Sequence, residues 1–92
     1  MQIPNWLMEI LVCPERKDLS LRYVGSAALE RLNQRIMNGE IKNRGGKKVE
    51  KVIEEGLVRE DGKMLYPIRD GIPILLIEEG IELANGDVVF DP

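Results

Sequence analysis

Apolar positions crowd most densely over residues 64–77, Met-Leu-Tyr-Pro-Ile-Arg-Asp-Gly-Ile-Pro-Ile-Leu-Leu-Ile, as two runs around Arg69-Asp70-Gly71. Asp-Gly between apolar runs predicts a tight turn, because glycine accepts positive φ and an Asp side chain can bond nearby backbone. In the second run Ile72, Ile74 and Leu76 alternate with Pro73, Leu75 and Ile77. An extended chain there is apolar on both faces and needs cover on both. It is therefore either a central core strand or a strand completed by a partner. Pro67 and Pro73 lack an N–H, which places each at a sheet edge, a strand start or a bulge.

Elsewhere the pattern is clear in some stretches and ambiguous in others. Trp6, Leu7, Ile10 and Leu11 fall at helical spacing, which predicts a turn or two of helix over 3–12 with Trp6 packed inward. Cys13-Pro14 ends it, since proline disfavours helix in the residue before it. Leu19, Leu21 and Tyr23 alternate with Ser20 and Arg22, predicting a half-buried strand over 19–24. A helix follows, with Ser26 as N-cap, Leu29, Leu32 and Ile36 as its apolar stripe and Gly39 just past its end. The stretch 39–48 reads as a loop. Val49, Val52 and Ile53 suit either a short helix or the start of a strand. From Leu57 a hairpin is expected, closing on a two-residue Asp61-Gly62 turn and continuing as a strand to Ile68. Asn85-Gly86, between 81–84 and 87–90, signals another.

Composition narrows the function. A chain of 92 residues makes one small domain. A net charge of −3 argues against nucleic acid as the main partner, since phosphate contacts need a basic surface. Lys42, Arg44, Lys47, Lys48 and Lys51 form a basic stretch that reads as a solvated loop. The apolar segment 6–12 is broken by Glu9 and too short to span a bilayer, so no membrane partner is expected. A single cysteine, Cys13, cannot form an internal disulfide, which fits a reducing cytoplasm. There is no histidine and no phosphate-binding glycine loop, and the carboxylates are scattered among Lys and Arg. Cys13 lacks an evident activating base. These features predict neither enzyme chemistry nor a bound cofactor.

Cys13-Pro14 and the segment Tyr66-Pro67-Ile68-Arg69-Asp70-Gly71-Ile72-Pro73 carry a resemblance. They resemble the zinc-ribbon-like activator subunits of tRNA, rRNA and release-factor methyltransferases, and the short bacterial relatives of that family. Residues 6–24 and 56–79 match the pattern; 25–55 is similar in position and helical character to the insert of eukaryotic and archaeal activators. With that insert, 52–55 leads into the hairpin as strand. The resemblance implies two knuckles whose cysteines hold zinc, yet Cys13 alone survives. Arg16 stands at the second ligand position and Arg59 at the third. A structural zinc site needs four ligands, usually Cys or His, so a metal-free version is expected. Arg16 and Arg59 would then lie close together if the ribbon geometry persists. They either bridge the knuckles through Glu15, Asp18, Glu60 and Asp61 or point to water.

The expected architecture is α+β: a small, metal-free, zinc-ribbon-like antiparallel sheet with a helical insert. It forms one domain over 1–92, with ribbon parts 1–24 and 56–80, insert 25–55 and a C-terminal hairpin or tail over 81–92. The expected function is a non-catalytic protein-binding module. Ile72, Pro73, Ile74, Leu75 and Ile77 would contact the partner, either a methyltransferase, as the resemblance implies, or a second copy of this chain.

Overall fold

The computed structural model describes residues 12–84 and 86–88. An antiparallel sheet runs through it: β1 (Leu21–Val24), β2 (Glu55–Arg59), β3 (Met64–Arg69) and β4 (Ile72–Pro73) lie side by side in that order. A short β5 (Ile81–Glu82) shares the outer side of β3 with β4, pairing Leu65 with Ile81 while β4 pairs Ile68 with Pro73. Between β1 and β2 the chain makes a 3-10 turn, Ser26–Leu29, which runs into helix α1, Glu30–Met37. The α+β class and the inserted helix are those expected from the sequence. Of the helical turn expected over 3–12, with Trp6, only Val12 is described, and it bridges Ser20; of the last hairpin's outer arm, Asp87 and Val88 form a bend, while Val89 and Phe90 lie outside the described residues.

The sheet is covered on both faces. Register puts Val24, Val58, Leu65 and Ile81 on one side, where they pack with Leu29, Leu32 and Ile36 of the helical insert and with Ile41 and Ile53. The apolar stripe thus docks as its spacing predicts. On the other face Cys13, Leu21, Leu57, Met64, Tyr66 and Ile68 form a second cluster, against which Leu75 packs. The strand buried on both faces is therefore β3, whose residues 64–68 are all buried. Only Ile72 and Pro73 of the run 72–77 pair in the sheet, and a 3-10 turn, Ile77–Glu79, follows. The central core strand allowed for that run is not formed.

Pro67 corrects a second expectation, since strands flank it on both sides. Its carbonyl accepts from Ile74 N at 2.9 Å, so its nitrogen also faces the β4 side, where only two residues pair. The longer β2–β3 ladder loses no donor. Pro73 does lie on an edge strand, as expected.

Other boundaries move for local reasons. Ser26 makes no side-chain cap; the helix opens through the 3-10 turn, whose N-cap is Gly25. Its end follows the sequence signal: Gly39, with φ 77°, donates to Ile36 O, and Glu40 donates to Arg35 O. This paired bonding satisfies carbonyls that the helix leaves open. The 39–48 stretch is a loop, pinched by a bridge between Lys42 and Lys48. The strand expected from 52 begins only at Glu55. Before it, Asn33 on α1 exchanges two 2.8 Å hydrogen bonds with the Ile53 backbone, and Arg69 donates to the carbonyls of Val52 and Lys51. Side chains satisfy this backbone in place of a ladder. The first strand starts at Leu21, and Tyr23 is exposed while Val24 is buried.

The two Asp-Gly turns differ. At Asp70-Gly71 both residues have positive φ, 52° and 76°, and Arg69 pairs directly with Ile72. This is the two-residue hairpin turn that needs φ > 0 at both central positions. At Asp61-Gly62 only Gly62 is left-handed, and Gly62 N bonds Arg59 O at 2.7 Å. That hairpin closes through a four-residue connection, 60–63, in place of the two-residue turn expected.

Candidate functional site

The first place where sequence-marked residues meet is the pair of loops at one end of the sheet. Cys13 N donates to Leu19 O at 2.9 Å and closes the 13–19 loop; Ser20 and Glu60 tie it to the β2–β3 connection through two 2.9 Å bonds. Between the loops lies Arg59, only 8% exposed. Its Nε donates to Asp61 Oδ1 at 2.9 Å, its Nη1 lies 3.6 Å from Glu15 Oε1, and the same nitrogen approaches Cys13 Sγ at 3.8 Å. Glu15 also receives Arg44, at 2.8 Å. Cys13 Sγ shares a 3.1 Å hydrogen bond with the buried Tyr66 hydroxyl.

Electrostatics follow from this packing. Burial pushes the Cys13 thiol up, but bonds from Tyr66, the Arg16 backbone, Arg59 and the Glu15 backbone hold it below its ordinary value. Burial and the bond to Cys13 push the Tyr66 hydroxyl up. The Arg59 hydrogen bond holds the Asp61 carboxyl below the usual carboxylate range. Arg16 behaves differently. Its guanidinium pairs with Asp18 at 2.9 Å on an exposed surface, so of the two arginines only Arg59 spans the loops. Among the described residues no group of three or more His, Cys, Asp or Glu is placed to hold a metal ion. The carboxylates nearest Cys13 face guanidinium groups. An open hollow of about 450 Å³ includes in its lining the ion pairs Arg59–Asp61 and Arg44–Glu82, together with Lys63, Met64 and Leu83.

The second place is the segment 72–77 along the outer side of β3. Ile72 is 61% exposed, Leu76 53% and Ile77 42%. Pro73, Ile74 and Leu75 between them are half-buried. Ile74 is anchored through its backbone to Pro67, and Leu75 turns toward the cluster around Tyr66. The outward apolar surface is thus Ile72, Leu76 and Ile77, flanking a half-buried middle. Leu76 stood within the apolar run but outside the residues expected to touch a partner. The alternation that pairs it with Ile72 and Ile74 was the signal that could have found it.

Sequence reasoning also missed what ties down the chain beyond β5. Asp87 is buried, accepts from Arg35 at 2.7 and 2.6 Å and from Ala84 N at 2.8 Å, and so fastens that segment to α1. No helix among the described residues is long and apolar enough to cross a membrane.

The solution NMR structure of XF2673 from Xylella fastidiosa is similar to this fold, with a TM-score of 0.66 over 87% of this chain and 81% of that one, at 31% identity. A UPF0434 protein of Vesicomyosocius okutanii is 50% identical over 36 residues. That match covers 39% of this chain and 61% of the relative, less than two thirds of its length. No family model matches the chain. Neither relative's name states an activity or a ligand, and the resemblance to methyltransferase activators rests on the sequence motifs alone.

Proposed function

We propose that this chain, which belongs to the same family as XF2673 of Xylella fastidiosa, is a non-catalytic protein-binding module. Its partner in this reading is a methyltransferase-like subunit, which it stabilises or activates. The observation that carries the reading is the outward surface of Ile72, Leu76 and Ile77. Three large aliphatic side chains exposed within six residues on a small domain support this reading, because contact with another surface would remove that apolar area from water. The resemblance supplies the class of partner: an enzyme that holds methyl donor and substrate itself would need from this chain only a surface.

The test is co-expression with methyltransferases of the same cell, followed by size exclusion with light scattering. A complex of summed mass is expected, lost in the Ile72→Ser/Leu76→Ser double variant while its melting temperature stays near that of the parent. These two positions serve better than Leu75, which packs on the core, so that Leu75→Asp would confound binding with folding. A chain that stays monomeric with every such enzyme contradicts the reading. A stable homodimer alone would favour self-association.

A further inference from the structure

Two observations beside the 72–77 surface choose between a foreign partner and a second copy. Asp70 precedes the exposed strip and Glu78-Glu79 follows it, so acids stand at both ends. Among the described residues, none of these three side chains makes an ion pair or side-chain hydrogen bond. Elsewhere Glu15, Asp18, Glu40, Asp61, Glu82 and Asp87 each have an arginine within 4 Å, whereas Glu30, Glu50 and Glu54 share the unpaired state of the strip's acids among the described residues. Two nearby arginines are occupied, Arg69 by the carbonyls of residues 51 and 52 and Arg44 by Glu15, while the loop that carries Lys47 reaches the strip where Gly45 N donates to Glu78 O at 2.9 Å. Lys51 and Glu54 line the same shallow cleft as Asp70.

We infer that the surface formed by Ile72, Leu76 and Ile77 and flanked by Asp70, Glu78 and Glu79 docks a different protein, one presenting an apolar socket bordered by Lys or Arg. This rests on the protein-binding reading above and names the chemistry of its partner. Self-association through the same patch is opposed. A two-fold contact sets each patch against its own copy and brings acids near acids. Like charges placed together across an interface are costly, whereas opposite ones set register and steer encounter.

The test uses the whole chain and two synthetic amphipathic helical peptides with one leucine face, flanked by Lys in one and by Glu in the other. Titration is followed by amide NMR signals. The Lys-flanked peptide is expected to shift signals of residues 70–79 and to bind about tenfold more tightly than its counterpart. Salt at about 0.5 M should narrow that gap, because exposed charges are screened over a few ångströms there. Glu78→Gln/Glu79→Gln should erase the preference, and Glu78→Lys/Glu79→Lys should invert it. Equal binding of both peptides at residues 70–79 overturns the cationic assignment and leaves the protein-binding reading standing. If neither peptide perturbs residues 72–77, both fail. A dimer by sedimentation at about 50 mM salt, where charge repulsion is least screened, overturns the assignment in favour of a second copy.

Discussion

Arg59 lies between Asp61, Glu15 and Cys13 and is itself nearly closed to water, so its removal would take a charged donor from all three and leave a gap where the guanidinium packs. Arg59→Ala is expected to lower unfolding free energy by about 2–3 kcal/mol, in the range for losing charged hydrogen bonds from a buried site. Urea denaturation checks this, and Arg16→Ala, on the exposed pair with Asp18, should leave the midpoint unmoved. The pair also sets a pH dependence. Arg59 depresses the folded-state pKa of Asp61. Its stabilising contribution is therefore complete above the ordinary carboxylate value of about 3.9 and is lost as pH falls through the lower folded value. Stability of the parent should decline over that acid window more steeply than that of Arg59→Ala. The sequence showed two arginines at positions that the resemblance assigns to metal ligands. It could not show which one is buried, because that depends on the β2–β3 connection turning Asp61 back toward Arg59.

Elements were most legible where one residue type answers one backbone demand. The stripe Leu29, Leu32 and Ile36 is fully buried as its spacing implies. Leu32→Ala should cost about 2–5 kcal/mol, the range for truncating a buried leucine; a loss near zero in chemical denaturation would mean the helix does not anchor the sheet. Asp70-Gly71 was legible as a turn, and its geometry makes Gly71 hard to replace. At φ 76° a branched side chain is strained. Gly71→Val should therefore destabilise by about 1–3 kcal/mol, measured by thermal melting. The elements that were misread depend on distant partners. Residues 52–54 look like strand, but Asn33 and Arg69 bond their backbone from elsewhere. The run 72–77 looks doubly buried by composition, yet β3 already occupies the middle of the sheet and leaves this run at its margin. Local pattern gives hydrophobicity; place in the sheet decides burial.

For the whole molecule, the helical insert and the Cys13 side of the sheet each cover one face, so the core is closed by the chain's own residues. Among the described residues, the densest run of exposed large aliphatic side chains is the strip on the outer side of β3, with its unpaired acids; Met37 on α1 is exposed singly. The sequence signalled that the run needs covering, and the structure narrows the exposed part to Ile72, Leu76 and Ile77. The claim that another protein covers that strip is tested most directly by a photo-crosslinking amino acid placed at Ile72 in the living source cell, with the same group at Arg31 on the exposed side of α1 as control. A discrete adduct heavier than two copies of this 10.4 kDa chain, formed from position 72 and absent from position 31, is the predicted result. An adduct at the mass of two copies, or none from position 72, would contradict it.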